Sequence, residues 1–317
     1  MADDYIHVAV AVIVNDSQRV LIAKRADDVH QGGLWEFPGG KVEAEESVEQ
    51  ALLREIKEEL NIVVREPEPL IKIKHHYNDK SVLLDVWRIK NYSGDPTGAE
   101  GQAIKWKSIS ELDAKEFPPA NKTIINALQL ADLYMITGEF DSNEDFKIKL
   151  KKSLSHGERI VQLRCKQMRD ASCYLELANI AKSICNKFNA KLLLNTGVDN
   201  FNLTTADGLH LNSRLLFQYK NRPIADNKLL SISCHNEVEI KQARLLAADI
   251  ILLSPVKATS SHPGVKAMGW QKFNTLLQTS ECPVYALGGM RLADKERAKH
   301  AGAQGVAAIT SLWHSAN

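Results

Sequence analysis

Residues 39–62 read GGKVEAEESVEQALLREIKEELNI, and this stretch decides how the first half of the chain is read. It holds seven glutamates, and Glu55, Glu58 and Glu59 crowd one end of a segment with helical periodicity over 44–60. Residues at i, i+3 and i+4 share a helix face, so these three carboxylates form a cluster. Like charges at that spacing repel, at a cost of roughly 0.2–0.5 kcal/mol per pair, and acids near a helix C-terminus oppose the macrodipole. A helix selected only for stability would not carry them. Hard divalent cations, Mg²⁺ above all, take oxygen ligands from a few carboxylates plus substrate phosphates, and such an ion would neutralise the cluster. Gly39 and Gly40 would let the backbone approach ligand or metal closely. Glu46 stands where it can steady Arg54. Taken alone, an acidic helix face reads as solvated surface, so the case rests on what surrounds it.

The chain has 317 residues, enough for about two domains. Its composition, 44% hydrophobic and 25% charged, is that of an ordinary globular protein. A net charge of +1 offers no polybasic surface for nucleic acid or membrane. The opening MADDYIHVAVAVIV puts acids, not a basic segment, before a short apolar run, which argues against a signal peptide. No run approaches the roughly 20 apolar residues of a membrane span. The five cysteines (Cys165, Cys173, Cys185, Cys234 and Cys282) form no C-x-x-C pair and read as reduced, mostly buried thiols of a cytoplasmic protein.

Along the first 130 or so residues, strand and helix signals alternate. Residues 6–14 and 19–24 read as strands, 44–60 as helix, and 70–90 as two extended runs split by a turn at Asn78-Asp79. A short strand near Ala103–Lys107 precedes PPANKTIINALQL, whose prolines and asparagine suit a helix start. The rhythm then changes. LYMIT, IVQLR, KLLLN, GLHL, LLSISC, DIILLSP, PVYALGG and GVAAITS are eight short apolar runs, most of them separated by helix-length segments. Continuous apolar strands alternating with helices imply a parallel sheet buried on both faces. Eight such units predict a compact closed (β/α)8 barrel. With no Gly/Ser/Pro-rich linker, the boundary is set near Ala131, giving domains 1–131 and 132–317.

Gly40, Glu46, Arg54-Glu55-Ile56-Lys57-Glu58-Glu59 and Asn61-Ile62 keep the spacing G-x5-E-x7-R-E-U-x-E-E-x-G-U, and this pattern resembles the nudix box. The one departure is Asn61 in place of the last glycine; asparagine is the usual second choice for a left-handed helix cap. The segments VLIAKRADDVHQGGLWEFPGGK, GAEGQAIKW and EFPPANKTIINAL extend the resemblance to the MutT subfamily, over about residues 5–130. The resemblance implies an α/β/α sandwich with a mixed sheet and hydrolysis of oxidised purine nucleoside triphosphates. It implies Mg²⁺, with Mn²⁺ able to substitute, held by Gly39, Glu55, Glu58, Glu59 and Glu100. It places Arg25 and His30 at phosphate and sugar, and Glu36, Phe37, Pro38, Gly39, Lys80 and Asn121 at the substrate. Lys80 stands where the subfamily has an arginine and is less planar. An asparagine amide both donates and accepts, so Asn121 can read a purine edge.

In the second half, IVQLRCK, KLLLN, ADGLHL, SISCHN, PVYALGGM and GVAAITS, in that order, resemble thiamin phosphate synthase and its relative TenI, an aminothiazole tautomerase. Gly288-Gly289 after the seventh strand and Thr310-Ser311 after the eighth occupy the loops that commonly build barrel phosphate sites. Gln162, Arg164, Lys166 and Asn195 match the family. At the positions of its two Mg²⁺-binding aspartates stand Thr196 and Leu215, neither of which ligates Mg²⁺ as a carboxylate does, and the lysine of its sixth loop has no counterpart in SPVKATSSH. Synthase turnover is therefore not expected. His235 matches the TenI acid/base histidine, and imidazole suits proton transfer near neutrality.

The expected activity is Mg²⁺-dependent conversion of 8-oxo-dGTP to 8-oxo-dGMP and pyrophosphate. Glu55 is the first candidate base and Glu100 the second, with Arg54 beside them. One alternative is a bifunctional protein, hydrolysing a thiamin-related pyrophosphate and tautomerising an aminothiazole through His235. Another is a hydrolase regulated by a barrel that senses a phosphorylated thiazole- or thiamin-like ligand.

Overall fold

The computed structural model describes residues 5–77, 79–165, 170–259 and 264–313. The chain divides into two compact units, Met1–Gln129 and Leu130–Asn317.

The first unit runs β1 (Ile6–Ile13), β2 (Arg19–Lys24), β3 (Trp35–Glu36), β4 (Gly39–Lys41), α1 (Val48–Leu60), β5 (Val63–Arg65), β6 (Glu68–His76), β7 (Ser81–Ile89), β8 (Asn91–Ser93), β9 (Ile104–Ser108) and α2 (Asn121–Gln129). Its main sheet is mixed, in the order β4-β1-β7-β6, with β1 parallel to β7 and antiparallel to β4. A second sheet, β3-β2-β9, is antiparallel. Strand alternation sorts β1 between two cores. Val10 and Val12 pack with Ile124, Ile125 and Leu128 of α2, while Ala9, Ala11 and Ile13 pack with Ala51, Leu52 and Ile56 of α1. The two alanines keep the α1 side thin, so α1 lies close to the sheet edge that carries Gly39.

Helix α1 begins at Val48, four residues later than the periodicity predicts. Ser47 accepts from the Gln50 backbone N–H (3.2 Å) and Gln50 accepts from the Ser47 N–H (2.7 Å), a reciprocal cap that fixes the start. Glu45 is left-handed (φ 68°) and the Glu46 carboxylate takes the Glu43 N–H, so 44–46 form a turn. The helix ends on Asn61 in left-handed conformation (φ 54°, ψ 31°). Of the turn expected at Asn78-Asp79, Asn78 lies outside the described residues; Tyr77 N–H to Lys80 C=O (2.8 Å) closes the hairpin.

The second unit runs β10 (Leu133–Ile136), α3 (Asn143–Ser155), β11 (Ile160–Leu163), α4 (Ala171–Lys187), β12 (Lys191–Leu194), α5 (Val198–Asn202), β13 (Gly208–Leu211), α6 (Ser213–Leu216), β14 (Leu229–Cys234), α7 (Glu237–Leu245), β15 (Ile250–Leu253), α8 (Gly269–Leu277), β16 (Val284–Ala286), α9 (Lys295–His300) and β17 (Gly305–Ala308). All eight strands are parallel and β17 closes back onto β10. Tyr134, Ile136, Leu193, Leu252, Tyr285 and Ala307 belong to the small core inside the barrel; Met135, Val161, Leu192 and Leu253 belong to the larger core under the helices. At the N-terminal face two aspartates, Asp207 and Asp249, repeat one device, and a third, Asp132, pairs with lysine alone among the described residues. Asp207 takes Leu192 N–H and Lys182, Asp249 takes Leu230 N–H and Arg222, and Asp132 takes Lys299. Charge-assisted bonds of the first two stitch neighbouring strands at that end.

All five cysteines are free thiols. Cys185 and Cys234 are buried, but Cys173 is exposed on the first turn of α4 and Cys165 is half-buried, so fewer are hidden than expected. Among the described residues, no helix is long and apolar enough to cross a membrane.

Candidate functional sites

The acid cluster of the first unit is built around the meeting of α1 with the β4 edge. Gly39 takes φ 144°, and a Cβ there would lie 2.1 Å from the Ala9 carbonyl oxygen. At Gly40 a Cβ would lie 2.1 Å from the Glu55 carboxyl carbon. The two glycines thus admit α1's carboxylates against the backbone: Gly39 N–H donates to Glu59 Oε2 at 3.0 Å. Arg54 reaches Glu46 (2.7 Å), Glu55 (2.8 Å) and Glu58 (3.4 Å), and also donates to the Lys41 carbonyl (3.2 Å). The bonds to Glu46 and then Glu55 raise its pKa and hold it charged. Arg54 therefore bridges the turn before the helix to the cluster within it.

Glu100 arrives from a loop pinned to the end of α1. Ala99 N–H donates to Glu59 C=O (2.9 Å), Thr97 N–H to Leu60 C=O (3.0 Å), and the Gln102 amide to Glu59 C=O (3.0 Å). These bonds satisfy carbonyls that a helix end leaves open. Burial drives the Glu59 carboxyl up to about 8; its Gly39 bond opposes this, while the charges of Glu36, Glu100 and Glu55 add to it. Among the described residues, no three acid, histidine or cysteine side chains close in tightly enough to enclose an ion. What is present is an open wall of hard oxygen donors, one of them desolvated and facing three other carboxylates. That donor set fits a hard divalent cation whose remaining ligands come from substrate and water.

The residues expected at the base belong to the α2 side of the sheet. Phe37 is 3% exposed and stacks on Phe117 (5.6 Å between centroids, 24° between planes). Asn121 is 9% exposed at the first residue of α2. Its side-chain amide makes no hydrogen bond to the described residues. The Pro38 carbonyl accepts from Ala11 N–H, which carries the β1–β4 pairing one residue past Gly39. Arg25 donates twice to the His30 carbonyl (2.8 and 3.2 Å) and is ion-paired to Glu36. Burial raises the Glu36 carboxyl above the usual range even though Arg25 opposes it. Arg25 thus spends several donors shaping the 26–33 loop, which carries His30 to within 3.7 Å of Asp79. Lys80 is half-buried at the hairpin tip.

In the barrel, a cavity of about 1160 Å³ opens at the C-terminal ends of the strands. Inside it a chain of hydrogen bonds runs from Asn195 to Gln162 (3.3 Å), Gln162 to Tyr134 (3.2 Å), Tyr134 to Ser231 (3.2 Å) and Ser231 to His210 (3.0 Å), whose Nε2 meets Ser233 (2.9 Å). Burial, and then the nearby Arg164 charge, pulls His210 down to about 3, so the imidazole is neutral. Burial also lowers Arg164 below its ordinary value. Gly288 (φ 94°) and Gly289 (φ 65°) press against the loop after β15: a Cβ would lie 2.7 Å from Pro255 Cα and 2.4 Å from the Ala258 carbonyl oxygen, respectively. Ser311 donates to the Met290 carbonyl (3.1 Å), which ties the last two strand-end loops together. Thr310 and the backbone of Gly288-Gly289 line the same cavity. His235 donates from Nδ1 to the Ser254 carbonyl (2.7 Å), which leaves Nε2 as the acceptor nitrogen. Thr196 accepts from the Asn200 amide of α5 (3.2 Å), and Leu215 packs against the outer core. Lys166 lies outside the described residues.

Three residues were not singled out from sequence. His210 was hidden as one polar letter in the apolar run GLHL, although its inward register beside two serines on the next strand was a signal. Gln102 and Tyr77 act through partners far away in sequence. Tyr77 lies edge-on to His30 (5.1 Å between centroids) and is hydrogen-bonded to the Ala120 backbone, next to Asn121.

The first unit is thus a mixed-sheet α/β layer fold with a carboxylate wall suited to a cation, and the second a (β/α)8 barrel with a cavity open at the C-terminal ends of its strands. Residues 9–127 match the NUDIX domain family and residues 133–312 the Thiamine monophosphate synthase family; the chain belongs to both, and its first unit is a nudix hydrolase. It is 37% identical over 124 residues to 8-oxo-dGTP diphosphatase of Escherichia coli (strain K12), covering 39% of this chain and 96% of that protein. It is 35% identical over 118 residues to CTP pyrophosphohydrolase of the same organism, covering 37% of this chain and 87% of that protein. It is 33% identical over 183 residues to an Aquifex aeolicus (strain VF5) protein provisionally named thiamine-phosphate synthase 2, covering 58% of this chain and 98% of that one.

Proposed function

We propose that the first unit hydrolyses 8-oxo-dGTP with water to 8-oxo-dGMP and pyrophosphate, using Mg²⁺, for which Mn²⁺ can substitute. The observation that carries this reading is the half-buried Glu59 carboxyl, bonded to the Gly39 N–H and raised to about 8 by desolvation and by the charges of Glu36, Glu100 and Glu55, a group that a bound cation would relieve. Glu55, Glu58, Glu59, Glu100 and the Gly39 carbonyl would hold the ion. When bound, it would draw electron density from the phosphate oxygens and stabilise charge developing there. Glu55 takes a proton from the attacking water, with Glu100 the second candidate, and Arg54 fixes the Glu55 carboxyl through its 2.8 Å bond. Phe37 offers an apolar face to the base, Asn121 reads its edge and Lys80 stands at the base pocket, while Arg25 and His30 attend the phosphate and sugar. The 8-oxo-dGTP diphosphatase relative supports this base choice. The CTP pyrophosphohydrolase relative makes CTP the first competitor to measure.

For the barrel we propose binding of a small phosphorylated ligand at Gly288-Gly289 and Thr310-Ser311, without synthase turnover, because Thr196 and Leu215 supply no carboxylate. His235, with Nε2 left as acceptor, is the candidate acid/base for a tautomerisation. The test is pyrophosphate release from 8-oxo-dGTP, dGTP, CTP and thiamin diphosphate, with and without Mg²⁺. A clear preference for 8-oxo-dGTP is expected. A preference for CTP or for the thiamin compound would replace the reading.

A further inference from the structure

The segment that leads into α2 is poor in capping groups. Pro118 and Pro119 carry no N–H, and the residue before the helix is Ala120, whose methyl cannot cap a helix start as serine or asparagine would. Asn121 N–H goes to the Pro118 carbonyl (2.9 Å) and Lys122 N–H to the Pro119 carbonyl (3.2 Å). Ala120 is 2% exposed, and a buried N–H without an acceptor is costly. Its acceptor is the Tyr77 hydroxyl. Burial raises the Tyr77 phenol above its ordinary value, and this bond opposes the rise, as a donated N–H does.

The ring of the same half-buried residue is held from two sides. His75, two residues earlier near the end of β6, meets it edge-on at 4.4 Å between centroids and 70° between planes; His30 meets it at 5.1 Å and 77°. The ring also packs against the core that holds Phe37, Phe117 and Ile124. The Tyr77 N–H closes the hairpin on the Lys80 carbonyl (2.8 Å). One residue therefore touches the His30 loop, the hairpin that carries Lys80 and the start of the helix whose first residue is Asn121.

We propose that Tyr77 is a positioning residue for base recognition: its hydroxyl fixes the start of α2 so that Asn121 stands ready to read the base, and its ring steadies the loop that carries His30. Glu55 belongs to α1, on the other face of the sheet, so this device acts on substrate binding and choice, not on proton transfer. The inference rests on the reading of Phe37 and Asn121 as the base pocket and adds the residue that holds that pocket in register.

Tyr77→Phe removes the hydroxyl and keeps the ring. KM for 8-oxo-dGTP should rise about three- to tenfold, the worth of one hydrogen bond, with kcat within about twofold. The preference over dGTP and CTP should narrow by a similar factor. Tyr77→Leu also loses both ring contacts and should raise KM further. Thermal melts establish that each variant is folded at the assay temperature. The decisive measurement is a cycle with Asn121→Ala. If the hydroxyl acts through Asn121, Tyr77→Phe should shift KM by less than about twofold in the Asn121→Ala background. A full shift in that background, an unchanged KM and preference in Tyr77→Phe alone, or a loss confined to kcat would each overturn the inference. If the parent protein shows no preference for 8-oxo-dGTP, the reading of the base pocket falls and the inference with it; if the preference is present and Tyr77→Phe keeps it, the inference alone falls.

Discussion

The two units treat buried ionisable groups in opposite ways. In the nudix unit a desolvated carboxyl, Glu59, faces three other acids, while Arg54 is shared among Glu46, Glu55 and Glu58 and Arg25 is taken by Glu36. In the barrel, Asn195, Gln162, Tyr134, Ser231, His210 and Ser233 satisfy one another, and the histidine is neutral. The first site is short of positive charge; the second holds arginines and no described acid. Burial penalises charge in both, but the carboxylate wall is relieved by gaining a cation and the barrel by gaining an anion. Metal dependence should accordingly be confined to one unit.

The largest effect should come from Glu59→Gln. It keeps the shape and removes one unit of negative charge, so turnover with Mg²⁺ should fall at least about a hundredfold while the metal-free fold is retained. Steady-state pyrophosphate release, alongside a thermal melt in EDTA, reads both. Full Mg²⁺-dependent turnover in the variant would remove Glu59 from the metal site and dissolve the contrast.

Next in size is a pair of glycine substitutions that separates chemistry from folding. A Cβ at Gly40 meets the Glu55 carboxyl, the free end of a flexible side chain, whereas one at Gly39 meets the Ala9 backbone at a left-handed φ. Gly40→Ala should displace Glu55 and cost about ten- to a hundredfold in turnover, with stability changed by less than about 1 kcal/mol. Gly39→Ala should instead destabilise the unit by several kcal/mol, on the order of a strained backbone plus a clash. Unchanged turnover in a well-folded Gly40→Ala would argue against Glu55 as the base.

What could be read in the sequence follows from which forces are local. The eight barrel strands were visible because a parallel strand buried on both faces is a continuous apolar run. The left-handed Asn61 was visible because one residue type decides it. The start of α1 was misplaced because the Ser47–Gln50 cap overrides a periodicity that continues through 44–47. Strands β3, β4, β5 and β8 have two or three residues each, too few for any pattern. In the sites, the spacing of Glu55, Glu58 and Glu59 announced a cluster. That Gln102 would pin the Glu100 loop to Glu59, or that Tyr134 on the first barrel strand would meet Ser231 on the fifth, depends on pairings across tens of residues that no local pattern encodes.

The contrast can be sharpened without any substitution. Mg²⁺ at about a hundred times its Kd stabilises its site by about 2.7 kcal/mol. Hydrogen exchange should therefore slow in α1 and in residues 97–102, while the backbone around Gln162, His210 and Ser233 exchanges as before. Equal protection in the barrel strands would mean that a cation binds there too, against the absence of acids among its described lining residues.

The smallest effect is a slope. Folding raises the Glu59 carboxyl from an ordinary 4.5 to about 8, so between those values the folded state holds a proton that the unfolded state has released. Stability rises with pH only where the unfolded state binds more protons; here the folded state does. The Glu59 contribution is therefore fully present below about pH 4.5 and is lost as pH rises through about 8. A Mg²⁺ ion held at the proposed site would bind the deprotonated carboxylate and expel that proton, so its affinity should climb over the same window. Urea midpoints in EDTA, taken from about pH 5 to about pH 9, should decline for the parent relative to Glu59→Gln, which has no proton to lose. Parallel curves for the two proteins would show that Glu59 is not desolvated, and the cation-seeking character of the nudix site would lose its main physical support.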